Sequence, residues 1–150
     1  MTVDPDDDPD LSVITMEHPL YSKLLDFRYN LLRKPLGMMP GSEKNKLDAS
    51  SLHLLFLHDS EVIGCVSLCS QGEYTGKVFQ MAVCRELQGK GLGFKLLQHC
   101  ITIGKKQKIP LLWLNARDNA MRFYERSGFK ETGSFFIEVG VTHKRMELLL

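Results

Sequence analysis

Between Val78 and Asn115 the hydrophobic period of the chain changes twice, and this change constrains the fold more than any other feature. Val78 to Cys84 reads as a strand, and Phe79 to Val83 is apolar on both faces apart from Gln80, as in a central strand covered on both sides. A turn with three glycines follows, "LQGKGLGFKLLQ" from Leu87 to Gln98. Beyond it Leu92, Leu96, Leu97, Cys100, Ile101 and Gly104 fall on one helical face, with Lys95, Gln98, His99, Thr102 and Lys106 opposite. Ile109-Pro110 ends the helix, and "LLWLN" (Leu111 to Asn115) reads as a short buried strand. Strand, helix and strand in that order make a crossover between parallel strands, and such crossovers are right-handed. The chain therefore needs a sheet containing at least one parallel pair.

The rest of the pattern adds antiparallel strands around that unit. A strand near Leu11 to Met16 precedes a helix entered at His18-Pro19, with Leu20, Leu24, Phe27 and Leu31 at helical spacing. Pro35 and Gly37 end this helix, and Met38 to Ser51 reads as an irregular polar connection. Leu52 to Leu57 and Glu61 to Ser70 are strands joined at Asp59-Ser60, and "QGEYTG" (Gln71 to Gly76) turns the second toward Val78. After Asn115 come a short helix carrying Ala120, Phe123, Tyr124 and Ser127 and stopping at Gly128, then strands near Glu131 to Val139 and His143 to Leu149 turning at Gly140. The predicted order is β-α-β-β-β-α-β-α-β-β, an α/β (α+β) domain with a mixed, mostly antiparallel sheet of six to seven strands and helices on both faces. Residues 1–10, with their Pro and Asp run, read as a disordered acidic tail, leaving 11–150 as one domain.

Composition excludes several functions. A net charge of +1 gives no reason to expect nucleic acid or an anionic membrane as partner. No apolar run approaches the roughly 18 residues of a membrane span, and the acidic start is unlike a secretory signal, so a cytoplasmic location is expected. Cys65, Cys69, Cys84 and Cys100 lack the paired spacing of zinc ligands and lie in apolar segments; they read as reduced, buried thiols, and no metal is expected.

A strand running through glycines into a helix N-terminus presents unpartnered N–H groups and the positive end of the helix dipole, a setting for an anion. The competing reading is a turn that merely connects strand to helix. Neither common nucleotide fingerprint fits. In a dinucleotide loop the third glycine falls on Phe94 or Leu96, depending on whether counting starts at Gly89 or Gly91, and Phe94-Lys95-Leu96 stands where a P-loop needs Gly-Lys-Ser/Thr.

Gln88, Gly91 and Gly93 do meet the Q-x-x-G-x-G signature of the GNAT family of N-acetyltransferases, which the chain resembles. "NAMRFYERSGF" (Asn119 to Phe129) is similar to that family's A-x-x-F-Y-x-x-x-G-F motif, with Ala120, Phe123, Tyr124, Gly128 and Phe129 in register. "LDFRYNLLRKPLGM" (Leu25 to Met38) and "FIEVGVTHKRM" (Phe136 to Met146) resemble segments of a small-molecule, largely uncharacterised bacterial branch, with Thr142 in place of the usual proline. Arg117 stands where many members carry an Asn that contacts the pantetheine arm, and Arg is common there in that branch.

The resemblance implies transfer of acetyl from acetyl-coenzyme A, as cosubstrate, directly to a primary amine of a small molecule, with no protein nucleophile. It implies that main-chain groups of Met81, Ala82 and Val83 hold the pantetheine, and that Gln88, Gly89, Lys90, Gly91, Leu92 and Gly93 hold the diphosphate. Asn119, Phe123 and Tyr124 would line the same site. Tyr124 is the candidate general acid, the alternative being a core aromatic of an amphipathic helix. Glu138 and His143 are candidate bases near the acceptor, where a water chain would also serve. Arg28, Arg33 and Glu138 are candidate acceptor contacts. For Glu138, His143, Arg28 and Arg33 a solvated or structurally paired charge is an equal reading. Two other functions fit the sequence: acetylation of a protein lysine or N-terminus, and a silent acyl-CoA-binding domain. A homodimer is compatible with the fold, although no residue points to one.

Overall fold

The computed structural model describes residues 9–150, so the predicted acidic tail lies outside the described residues apart from Pro9 and Asp10. Asp10 already pairs with Leu57 and opens the first strand, β1 (Asp10–Ile14). The chain continues through α1 (Tyr21–Arg28), β2 (Ser51–His58), β3 (Glu61–Gln71), β4 (Thr75–Val83), α2 (Leu92–Lys106), β5 (Leu111–Arg117), α3 (Met121–Glu125), β6 (Lys130–Glu138) and β7 (Val141–Leu149). The seven strands form one sheet in the order β1-β2-β3-β4-β5-β7-β6. Only β4 and β5, the strands flanking α2, run parallel, as the crossover requires.

Local sequence explains most of these elements. Asp59 and Ser60 take φ of 49° and 65°, the left-handed pair that suits the twist of a two-residue hairpin, and they join β2 to β3. Every residue expected on the apolar face of α2, from Leu92 to Gly104, is buried. Leucine burial of this kind contributes on the order of 1.5–3 kcal/mol per side chain.

The core has two parts, one on each side of the sheet. Leu54 and Phe56 of β2 face α2 and the aromatic residues of α3, whereas Leu55 between them faces Leu24 and Phe27 of α1. Helices thus cover both faces, as expected.

Two elements depart from the sequence reading. The strand β5 extends to Arg117 and is buried on one face only; Leu112, Leu114 and Ala116 point into the core, while Trp113, Asn115 and Arg117 are half-exposed. After Arg28 the first helix loosens into a π-helical turn (Tyr29–Arg33) and then tightens over Lys34–Leu36, ending at Gly37 with φ of 72°.

Candidate active site

The parallel pair at the centre of the sheet is short. The strands β4 and β5 hydrogen-bond only from Thr75 to Lys77 and from Leu111 to Trp113, and then they diverge. The divergence has a local cause in β4. Ser67 of β3 pairs with Phe79 and Cys65 with Ala82, so Gln80 and Met81 together oppose the single residue Val66. This is a β-bulge, and Gln80 takes a φ of 55° to form it. Beyond the bulge, the β5-facing edge of β4 has no strand partner among the described residues, so main-chain groups there line a gap in the sheet.

Two clefts meet in this gap. One, of about 510 Å3, runs along Met81, Ala82 and Val83 to Gln88, Gly89, Gly91, Leu92 and Gly93, with Asn119 and Phe123 on its other wall. That volume falls in the usual range for small-molecule sites. The second, of about 250 Å3, contains Tyr124, Glu138, His143, Arg33 and Gln80. The clefts share Leu32, Met81, Arg117, Ala120 and Phe123. Of the residues expected to hold the coenzyme, Tyr124 lies in the second cleft, and Lys90 is exposed and stands outside the lining of both.

The glycine turn is built to leave space. Gly89 and Gly91 have φ of 79° and 86°, and a Cβ at either would meet no protein atom within 4 Å. Gly91 caps α2 in the left-handed conformation, and no side chain caps the helix. The first N–H groups of α2 and its dipole are thus presented to the groove, which suits the diphosphate of coenzyme A. Gly93 is needed for a different reason. A Cβ there would sit 3.3 Å from the Phe123 ring, so its absence lets α2 and α3 close the groove floor. Gln88 donates from its side-chain amide to the Val83 carbonyl at 2.9 Å, tying the turn to the end of β4.

Tyr124 is buried, with its ring edge-on to Phe123 at 5.0 Å and to Phe129 at 6.0 Å. Among the described residues its hydroxyl has no hydrogen-bond partner, and it borders the cleft. Burial, with Cys100 nearby, pushes the phenol above its ordinary value, so it remains a proton donor across the physiological range.

His143 is buried beside Arg117 in the β5–β7 register and stacks on Phe136. Its Nδ1 lies 2.7 Å from the Val141 carbonyl, which can only accept, so Nδ1 carries a proton and Nε2 is the ring nitrogen left for proton exchange. Glu138 is exposed at the rim. Between them Val139 holds a φ of 48°, an outlier for a β-branched residue, in the turn that brings β6 and β7 to the cleft.

Arg28, expected as an acceptor contact, does not line the second cleft. It is fully buried, and Nη1 pairs with Asp48 at 2.8 Å. Its Nη2 donates to Ser67 at 2.8 Å and faces His53 Nδ1 at 3.3 Å. His53 Nε2 donates to the Asp48 carbonyl, so Nδ1 is the acceptor for Ser67, and the network is consistent with a neutral ring. Burial lowers the His53 pKa below its usual value. Burial would raise Asp48, but hydrogen bonds from Arg28 and Tyr21 outweigh it and hold the carboxyl below the usual range. Arg28 is a structural residue that fastens the connection before β2 to the sheet.

Sequence reasoning missed Asp48, whose segment read as an irregular polar loop. It also missed Asn45, Lys77 and Gln80, which line the second cleft, and Arg126 beside the glycine turn.

Residues 32–150 match the family described as "Acetyltransferase (GNAT) domain". Over 93 residues the chain is 32% identical to the [ribosomal protein bS18]-alanine N-acetyltransferase of Haemophilus influenzae, in an alignment spanning 61% of this chain and 63% of that enzyme. Among solved structures, an acyl-CoA N-acyltransferase from Pseudomonas aeruginosa superposes with a TM-score of 0.83 at 19% identity, covering 93% of this chain and 98% of that one. A GNAT family acetyltransferase from Elizabethkingia anophelis, solved with acetyl-CoA bound, gives a TM-score of 0.72 at 18% identity, over 97% of this chain and all of that one. A split central sheet, an open glycine turn at a helix N-terminus and a family match over most of the described residues agree: the chain belongs to the GNAT acetyltransferase family.

Proposed function

We propose that this chain is an acetyl-CoA-dependent N-acetyltransferase acting on a primary amine of a small molecule. The observation that carries this reading is the meeting of the glycine-lined groove and the second cleft at Met81 and Phe123, with Tyr124 lining the second cleft. The coenzyme supplies an acetyl thioester. Transfer forms a nitrogen–carbon bond and breaks the carbon–sulfur bond; the nitrogen gives up one proton and the sulfur gains one. Main-chain N–H groups of β4 beyond the bulge, on the edge that has no strand partner among the described residues, would donate hydrogen bonds to the carbonyl oxygen as charge develops on it. Tyr124 donates to the departing sulfur. A thiol, ordinarily near pKa ~8.5, is a stronger acid than this buried phenol, so the phenolate is not left standing: the proton leaving the nitrogen is taken up by Nε2 of His143, directly or through water, and passed on to restore the Tyr124 hydroxyl.

The cysteines support direct transfer. Burial pushes Cys65 and Cys100 up to about 12, and burial also raises Cys84, so these thiols are poor nucleophiles at neutral pH. The test is release of free thiol from acetyl-CoA over a panel of amines, repeated with Tyr124→Phe. Wild-type turnover with at least a tenfold loss of kcat in the variant, at unchanged coenzyme affinity, is the expected result; coenzyme binding with no turnover on any amine points to a silent binding domain. A protein N-terminus as acceptor is the second reading, favoured by the name of the Haemophilus relative. Intact-mass analysis of peptides with free N-termini separates it from the first.

A further inference from the structure

Two guanidinium groups in the acceptor cleft share one main-chain oxygen. Arg33 Nη1 donates to the Leu32 carbonyl at 3.2 Å, and Arg117 Nη2 donates to the same oxygen at 3.4 Å. Both cationic heads are therefore held within two hydrogen-bond lengths of each other, one from the end of the first helix and one from the end of β5. Arg33 is anchored further by Nε on the Ser42 carbonyl at 3.2 Å. Carbonyls satisfy hydrogen bonds but cancel no charge. Among the described residues neither arginine has a carboxylate within ion-pair distance, in contrast to Arg28, which has Asp48. Burial first, then Arg117 and to a smaller extent Arg28, push the Arg33 pKa down, while Glu138 and Glu43 oppose this only from beyond ion-pair distance.

Like charges this close, half-buried, repel unless an anion sits between them. Among the described residues Arg33 Nη2 and Arg117 Nε and Nη1 have no hydrogen-bond acceptor, which leaves donors from two directions for an oxyanion. Lys77 borders the same cleft and adds to its positive field.

Building on the N-acetyltransferase reading above, we propose that the acceptor is an amine that also carries an oxyanion, gripped by Arg33 and Arg117, with its amino group toward Glu138 and His143. The chemistry is shared by carboxylates and phosphate monoesters, and the carboxylate matches the planar guanidinium fork directly.

The test measures binding, so that it does not depend on turnover. With coenzyme A at saturation, titration calorimetry compares the L-amino acids, β-alanine and 4-aminobutyrate with their carboxamides, and O-phosphoethanolamine with ethanolamine. At least one oxyanion-bearing amine is expected to bind tenfold to a hundredfold more tightly than its neutral partner, the range of a charge-assisted hydrogen bond. Which pair shows the preference distinguishes carboxylate from phosphate. Arg33→Gln and Arg117→Gln should each reduce that preference tenfold or more, and Arg33→Lys should restore part of it, with cooperative melting as the check on folding for all three and unchanged coenzyme affinity required of the Arg33 variants alone, because Arg117 also borders the glycine-lined groove. Equal affinity for every charged and neutral pair in the wild type overturns the proposal. So does a variant that weakens coenzyme A rather than the amine, since the arginines would then serve the donor. Thiol release, followed separately, reports on the transferase reading: turnover of neutral amines without a charge preference sinks this inference alone, whereas oxyanion binding without turnover sinks only the reaction.

Discussion

Replacing Asp48 by Asn removes the charge opposite Arg28 while keeping the shape of the side chain. The pair is separated by 2.8 Å, with side-chain exposures of 0% and 2%. At an effective dielectric of ~20 the attraction is about 6 kcal/mol, set against a desolvation cost of several kcal/mol per ion. The intact pair therefore contributes little net stability, but losing one member strands the other. The Asn amide oxygen accepts two hydrogen bonds at most and carries no charge, whereas Arg28, Tyr21 at 2.6 Å and the Asn45 N–H at 3.2 Å all converge on the same Asp48 oxygen. A loss of about 3–5 kcal/mol is expected, a large part of a domain's ~5–15 kcal/mol. With a urea m-value near ~2 kcal/mol/M the midpoint should fall by roughly 1.5–2.5 M. The double variant Arg28→Met/Asp48→Leu should recover most of this loss, because it removes both charges. Asp48 and Arg28 also fix the segment carrying Asn45 of the acceptor cleft, so the single variant should raise the acceptor KM while leaving coenzyme affinity unchanged. A midpoint shift below about 0.5 M, or a double variant no better than the single one, would refute the argument that a stranded charge is the cause.

Other expectations follow from the same geometry. Gly91→Ala should cost about 1–2 kcal/mol of stability for its left-handed φ of 86°, and it should weaken coenzyme A at least tenfold because the new Cβ enters space that no protein atom fills. Gly93→Ala instead presses on Phe123 at 3.3 Å; a thermal-melt loss of about 1–3 kcal/mol is expected, with the coenzyme effect secondary to displacement of that ring. Val139→Asn should relieve the strained turn and raise stability by about 1 kcal/mol, measurable as a higher Tm. Stability should also fall on acidification in two stages. The His53 pKa is lowered by folding, so its contribution is complete above the unfolded value near ~6.5 and is lost as pH falls through the folded one; Asp48 behaves alike below ~4. Urea midpoints measured from pH 7 to pH 3 check the order, and a flat profile between pH 7 and pH 5 removes His53 from the account.

The parts of this molecule that were legible in the sequence are those governed by local period. The face of α2 from Leu92 to Gly104, the Asp59-Ser60 and Gly140 turns and the crossover all depend on residues near one another in the chain. The spacing of Gln88, Gly91 and Gly93 likewise foretold a helix N-terminus open to an anion, because glycine conformations are local. The opening between β4 and β5 was not legible from composition. It arises from one residue inserted against Val66, and Gln80 has nothing in its side chain that demands a φ of 55°. Asp48 was unreadable for a different reason. An aspartate in a polar loop normally faces water, and only the approach of Arg28 from 20 positions away makes its burial tolerable.

The two arginines of the first helix show how a small change of helical pitch decides function. Five positions separate Arg28 from Arg33, so a regular α-helix would already place them on different sides, and both remained candidates for the acceptor. The π-helical turn over Tyr29–Arg33, closed by the bond from the Lys34 N–H to the Tyr29 carbonyl, lowers the rotation per residue and shifts the phase of everything after Arg28. Before the shift, Leu24, Phe27 and Arg28 face the sheet and are buried; after it, Leu31 and Leu32 are only half-buried and border the clefts. The same shift leaves Arg33 at the acceptor side, where the Leu32 carbonyl and Arg117 hold it. The π-turn therefore divides one helix into a half whose buried charge is paired with Asp48 and a half whose Arg33 is held by main-chain carbonyls at the second cleft.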